Sequence, residues 1–240
     1  MVSKEPRKIR SMFGAIAHRY DLLNHALSMG IDIYWRWRVV KRLRPFLAQG
    51  DVALDLCTGT GDLALQLSKH TRVVGCDFTH AMLVLGQEKV RAKSLESRIR
   101  FVEGDALSLP FPDASFSALS IAFGLRNLAS YRQGLEEMRR VLRPGGVLAV
   151  LEFSQPRLPV LKQVYFLYCK HVVTRLGSWI SGDAVAYSYL PASVDEFLSA
   201  DSLGEMIGEC GFADVQCVPL TGGVAVLQLA RKEGAEGCRL

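Results

Sequence analysis

Val52-Ala-Leu-Asp-Leu-Cys-Thr-Gly-Thr-Gly-Asp62 confines this chain to a narrow set of folds, because an apolar strand carrying one acid runs straight into a glycine loop and then a helix. Val52, Leu54 and Leu56 read as a buried parallel strand. Gly59 and Gly61 allow a tight turn whose backbone can approach a ligand at the next helix N-terminus. That is how a nucleoside is held. Gly59-x-Gly61-x-x-Ala64 also fits the relaxed dinucleotide fingerprint, so this motif alone leaves NAD and S-adenosylmethionine (SAM) both open.

Later acids separate the two. Arg72 to Asp77 is a second strand ending in a carboxylate, where α/β nucleotide folds grip ribose hydroxyls, so Asp77 suits either cofactor. The third strand, Ile99 to Val102, leads to Asp105, placed to reach an adenine amino group, for which an NAD site has no standing need. Leu109 to Asp113, a strand over Ser115 to Phe123, Val141 to Gly146 and the apolar run Val147 to Leu151 complete a series with the order and spacing of class I SAM-dependent methyltransferases.

At 240 residues the chain suits one domain, 1–240, able to bury a substantial core. Residues 1–50 read as a helical cap region: a short helix through Ile9, Phe13 and Ile16, then a longer one from Ile33 to Leu47. Strands are expected near 52–57, 72–77, 99–103, 115–123 and 147–154, with helices near 61–69, 79–93 and 130–142. This βα alternation implies a Rossmann-like α/β fold, a mostly parallel seven-stranded sheet with its ligand at the switch point. Asp201 to Cys210 reads as a helix. Asp214 to Pro219 and Val224 to Arg231 then read as an antiparallel C-terminal hairpin around Thr-Gly-Gly223. Residues 155–195 form an aromatic-rich insertion (Tyr165, Phe166, Tyr168, Trp179, Tyr187, Tyr189), which fits a lid over an apolar substrate or a cap on the core.

Composition excludes several classes. Hydrophobic content of 49% and charge of 22% are those of a globular protein, and no uncharged run approaches the ~18 apolar residues of a membrane span. The first residues lack the apolar core of a signal peptide, so a cytoplasmic protein is expected. Six cysteines without a C-x-x-C pair and five histidines without ligand spacing point to reduced thiols and no metal. Residues 1–50 carry ten Lys/Arg against three acids. The stripe Arg36, Arg38, Lys41, Arg42 and Arg44 suits a solvated face, anionic lipid head groups or nucleic acid. The last lacks support, since no interleaved aromatic platform or RNA-binding signature accompanies the stripe.

Four passages resemble the ubiquinone/menaquinone biosynthesis C-methyltransferase family. They are Phe13-x-x-Ile16-Ala-x-x-Tyr20-Asp21-x-x-Asn24 with Leu27-Ser-Met-Gly30-Ile-Asp-x-x-Trp35-Arg36; Gly59-Thr60-Gly61-Asp62; Phe123-Gly-Leu-Arg-Asn127; and Arg140-Val-Leu-Arg-Pro-Gly-Gly146 with Leu151-Glu-Phe-Ser154. The first and third are specific to that family. The resemblance implies SAM as methyl donor and a prenylated quinol as acceptor, demethylmenaquinol becoming menaquinol. C-methylation of 2-polyprenyl-6-methoxy-1,4-benzoquinol in ubiquinone biosynthesis and a non-catalytic SAM-binding protein stand as alternatives. Family SAM contacts map to Thr60 in the loop, Asp77 at the ribose, and Asp105 with Ala106 at the adenine. A family serine before Phe-Gly-Leu-Arg-Asn is Ala122 here, which leaves only backbone contact. Asp32 replaces a histidine common in the family, which points toward the menaquinone branch.

A quinol ring carbon attacks best when the neighbouring hydroxyl has lost its proton, so the site needs oxyanion stabilisation or a proton acceptor. Arg126, at the end of the fourth strand, fits that role; its structural alternative is a salt bridge to a carboxylate such as Asp21. Tyr20 and Asn24, one helical turn apart, and Asn127 are candidate substrate contacts, with N-terminal packing as the alternative for the first two. Asp55 reads as a support of the glycine loop. A bilayer-held prenyl tail implies peripheral contact at the inner face of the membrane, through a helix at Leu158 to Leu176 and the basic stripe. Monomer and homodimer both remain open.

Overall fold

The computed structural model describes residues 5–156, 163, 167–168 and 192–234. Seven strands form one sheet: β1 Val52–Leu56, β2 Arg72–Asp77, β3 Ile99–Glu103, β4 Phe116–Ala122, β5 Leu142–Phe153, β6 Phe212–Leu220 and β7 Ala225–Lys232. Their order is β3-β2-β1-β4-β5-β7-β6. β1 pairs in parallel with β2 and β4, so the order reverses beside it, which places the switch point at the end of the glycine-loop strand. β7 runs antiparallel to both β5 and β6 and lies between them, so the hairpin contributes a single reversed strand rather than a reversed edge.

Helices among the described residues include α1 Pro6–Leu27, α2 Ile31–Leu43, α3 Asp62–Leu67, α4 His80–Ala92, α5 Tyr131–Val141 and α6 Ala200–Glu209. Alternation along the strands builds two cores. Ala53, Ala118, Val147, Ala149 and Leu151 face one side with Trp35, Val39, Leu43 and Leu63 of α2 and α3. Leu54, Leu119, Leu148 and Val150 face the other with Leu135, Met138, Leu203 and Ile207 of α5 and α6. A sheet buried on both faces explains why its strands read as continuous apolar runs.

Two expectations for the N-terminal region are corrected. The first helix extends to Leu27, because the stripe Ile9, Phe13, Ile16, Tyr20, Leu23 and Leu27 keeps one helical face for all 22 residues. Arg36 does not belong to a surface stripe: it shares the inward face of α2 with Asp32, Trp35, Val39, Val40 and Leu43. Asp32 accepts from Arg36, from Ser28 Oγ at 2.6 Å and pairs with His25 Nδ1 at 2.8 Å. Burial works against the Asp32 carboxylate, but the Ser28 hydroxyl and the Arg36 and His25 charges outweigh it and hold its pKa below the ordinary value.

Most of the proposed lid, and the helix over Leu158 to Leu176 except residues 163, 167 and 168, lie outside the described residues. Among the described residues, no helix is long and apolar enough to cross a membrane, and no cluster of side chains could hold a metal ion.

The Phe101 ring of β3 is seated on three glycines. A Cβ added at Gly75 would come within 2.5 Å of it, at Gly61 within 2.7 Å and at Gly86 within 3.0 Å. The glycine loop, β2 and α4 thus converge on one aromatic ring. Gly75→Ala should lower stability by about 1–3 kcal/mol through overpacking, read as a lower urea midpoint at unchanged slope. An unchanged midpoint would show that the ring can retreat freely.

Candidate active site

The sheet's parallel strands deliver their C-terminal ends to one pocket. Cys57 and Gly59 follow β1, Asp77, Phe78 and Thr79 close β2, Gly104 to Leu107 follow β3, and Ala122 to Gly124 end β4. At the switch point two non-glycine residues, Cys57 (φ 52°) and Phe123 (φ 59°), adopt left-handed backbone. Such strain concentrates where side chains must be aimed. Gly124 packs so closely on Cys57 that a Cβ there would lie 2.4 Å from the cysteine Cβ, which accounts for the glycine of the Phe123-Gly124 pair.

Asp77 carries the polar work. Its Oδ2 accepts the Gly59 N–H at 2.9 Å and its Oδ1 the Thr79 N–H at 2.8 Å. It is buried rather than exposed, and burial pushes its pKa up against those bonds. The Thr79 hydroxyl and the Phe78 N–H also hydrogen-bond to this carboxylate, which lines the pocket. Asp105 stays exposed, its Oδ1 accepting the Leu107 N–H at 2.9 Å, beside an apolar slot lined by Phe78, Met82, Ala106 and Leu107. A buried carboxylate next to an apolar slot with an acid at its rim suits a nucleoside.

α1 roofs the pocket through Ile9, Phe13 and Tyr20. Polar contacts pin it along its length. Arg10 reaches the Phe78 carbonyl at 2.6 Å and pairs with Glu103. Asp21 pairs with Lys89 at 2.6 Å, and His25 lies 3.5 Å from Asp62. Asp55 sits beneath, accepting from Thr58 Oγ1 at 2.6 Å and Ser120 Oγ at 2.8 Å, and burial raises its pKa to about 6.

Of the residues expected from the sequence, Gly59, Asp77, Asp105, Ala106, Ala122, Tyr20 and Asn127 line this pocket. Thr60 does not: its hydroxyl donates to Asp21 Oδ1 at 2.5 Å and accepts from Lys89 at 2.9 Å, fastening the loop to α1 and α4. Gly61 caps α3 in left-handed conformation (φ 85°) away from the lining residues. Asn24 stands behind Tyr20 as its hydrogen-bond partner. Burial pushes the Tyr20 hydroxyl up, while the charges of Arg126 and Arg36 and the Asn24 bond pull the other way.

Arg126 is buried behind the lining and pairs with Glu152 rather than Asp21. Its main-chain N–H meets Glu152 Oε1 at 3.1 Å and its Nη1 meets Oε2 at 3.0 Å; Nη1 also donates to the Phe123 carbonyl. Its guanidinium lies 5.4 Å from the Phe153 ring centre, and that of Arg36 lies 5.6 Å from the Phe123 ring centre. Two compensated cations thus flank the Phe123–Phe153 pair, whose centroids are 4.6 Å apart.

The model of the ubiE/COQ5 methyltransferase family matches residues 1–232. A Geobacter sp. strain M21 protein named ubiquinone/menaquinone biosynthesis C-methyltransferase UbiE is 43% identical, the match covering 96% of this chain and 99% of that one. A Thermus thermophilus protein named demethylmenaquinone methyltransferase is 47% identical, over 91% of this chain and 98% of its own. Among solved structures, a SAM-dependent methyltransferase from Aquifex aeolicus superposes with TM-score 0.59 at 21% identity, covering 80% of this chain and 88% of its own. The [4+2]-cyclase SpnF superposes with TM-score 0.67 at 17% identity over 95% and 96%. Both show the class I methyltransferase fold, and the second illustrates that this fold does not by itself dictate the reaction.

The raised pKa of Asp55 sets a pH dependence. Between its ordinary 3.8 and about 6, the folded state binds the proton that the unfolded state has released, so this residue's contribution to stability falls as pH rises through that window. Asp55→Asn removes this term. The wild type should lose about 2 kcal/mol relative to the variant between pH 4 and pH 7, measured by urea unfolding. Parallel pH profiles for the two proteins would refute the assignment.

Proposed function

The chain belongs to the ubiE/COQ5 methyltransferase family, and on that premise we propose that it transfers a methyl group from SAM to a ring carbon of a prenylated quinol, with demethylmenaquinol as the preferred acceptor. The observation that carries the reading is the pocket at the switch point, where the Asp77 grip and an apolar slot adjoin the aromatic wall of Tyr20 and Phe123. When bound, SAM supplies a methyl group on a sulfonium centre, already an activated electrophile, so the protein's task is alignment and control of charge on the acceptor.

The residues divide that task. Asp77 and the Gly59 backbone hold the nucleoside end, with Phe78, Met82 and Ala106 against the base and Asp105 at its amino group. Tyr20, Phe123 and Asn127 face the remaining space and position the acceptor ring. Arg126 acts as a positioning residue. Its charge and that of Arg36 lie behind the Tyr20 hydroxyl and favour negative charge there, offsetting the oxyanion that makes the ring carbon nucleophilic. No protein nucleophile is required.

Incubation with methyl-labelled SAM and each demethylated quinol tests the reading. Label in the naphthoquinol is expected; label only in 2-polyprenyl-6-methoxy-1,4-benzoquinol would move the protein to the ubiquinone branch. SAM binding without label in either would leave a non-catalytic SAM-binding protein.

Arg126→Ala should destabilise the fold by about 3–5 kcal/mol, because it leaves the buried Glu152 without its cation. The pair replacement Arg126→Met with Glu152→Leu should regain stability, yet turn over at least about tenfold more slowly with SAM affinity near normal. Wild-type turnover in that double variant would remove Arg126 from the mechanism.

A further inference from the structure

The outward face of α2 carries a stripe the catalytic pocket does not use. Among the described residues, seven large apolar side chains are exposed, and four of them, Met29 (72%), Ile33 (50%), Tyr34 (44%) and Trp37 (48%), fall at helical spacing on the turn before α2 and on its first two turns. Met29 is held outward by left-handed backbone (φ 51°). The rings of Tyr34 and Trp37 stack on each other, centroids 5.8 Å apart and 28° between planes. The sequence does interleave aromatics with its basic stripe, contrary to the expectation above: Lys41 Nζ lies 5.2 Å from the Trp37 ring centre, and Arg38 sits over Tyr34 and donates to its hydroxyl at 2.7 Å.

Charge on this face has one sign. From Leu22 to Gly50 the only acid is Asp32, buried and paired with Arg36, while Arg38, Lys41, Arg42 and Arg44 remain on the outer side. We propose that this face docks the protein on an anionic lipid surface, with Met29, Ile33 and Trp37 entering the head-group boundary and the four cations meeting lipid phosphates. An amphipathic helix with aromatic and aliphatic residues on one side and Lys/Arg at its flanks lies in an interface this way, the long basic side chains snorkelling toward the phosphates. Two other occupants fit less well. A second copy would press four cations against four. A single-stranded nucleic acid needs open ring faces, and these rings are already covered by each other and by Arg38 and Lys41. The proposal stands on the face itself and not on the quinol assignment.

Cosedimentation of the full chain with phosphatidylcholine vesicles, with and without phosphatidylglycerol, tests it in the absence of any quinol. The chain should pellet with the anionic vesicles only, and salt should release it. Neutralising Lys41 and Arg42 to Gln should lower partitioning about fivefold for each residue. Ile33→Ser with Trp37→Ser should abolish pelleting while leaving the thermal midpoint and the turnover of a short-tailed, water-soluble quinol unchanged. An unaltered chain that stays in the supernatant with anionic vesicles overturns the proposal. So does pelleting of the Ile33→Ser, Trp37→Ser variant at the wild-type level, or a vesicle-free dimer that these substitutions dissolve. Vesicle binding by a chain that methylates no quinol would refute only the substrate assignment.

Discussion

The two hydrogen bonds accepted by Asp77, from Gly59 at 2.9 Å and Thr79 at 2.8 Å, tie the turn after β1 to the turn after β2. Everything at the strand ends depends on that tie. It orients the glycine loop without a side chain in the way and starts α4 immediately beyond Thr79. The carboxylate is costly to bury, as its raised pKa records, and the cost is met by main-chain donors that would otherwise lack partners at a turn. The architecture of both turns is therefore carried by the same two oxygens.

Behind the pocket the protein uses charge in compensated form. Arg36 has Asp32, Arg126 has Glu152, and Lys89 has Asp21 and Asp62. The last two join separate segments, the turn after β4 to β5 and the roof to the loop and α4, whereas Arg36 and Asp32 lie one turn apart on α2. Removing one member strands the other in a poorly hydrated place, so these residues are expected to matter whether or not they meet substrate. At the Tyr20 hydroxyl the Arg126 and Arg36 charges favour the ionised form and Asp77 opposes them.

How much of this was legible in the chain depends on the range of the interaction. The βα order, the sheet and its hairpin follow from local periodicity and glycines, and the strand bounds were recovered to within a residue or two, except that β5 starts at Leu142 rather than near 147. Pocket residues Asp77 and Asp105 followed from their places at strand ends, whereas Ala106, Ala122 and Asn127 came from the family passages. What was missed depends on partners far away in sequence. The Thr60 hydroxyl turns to Asp21 and Lys89, 39 and 29 residues distant, and Glu152 hides inside an apolar strand with nothing local to mark it as the partner of Arg126. Arg36 is a different kind of miss, because its phase with Trp35, Val39 and Leu43 already placed it inside. The wall formed by Ile9 and Phe13 was likewise visible as a stripe, but the stripe alone does not say that its face covers a pocket instead of the sheet.

Among the described residues, the roof is one unbroken helix held by three charged clamps, Arg10 to Phe78 and Glu103, Asp21 to Lys89, and His25 to Asp62, with the Tyr168 hydroxyl also donating to the Leu27 carbonyl. A helix of 22 residues is a rod about 33 Å long, and a rod held at three points does not lift locally. Exchange of a ligand beneath it requires those polar contacts to part together or the rod to hinge at the Ser28-Met29-Gly30 turn. Traffic through the pocket then belongs to collective motions on the microsecond to millisecond scale. Since the three charged clamps are at least partly solvent-facing, dissolved ions weaken the hold of the roof, independently of the chemistry inside.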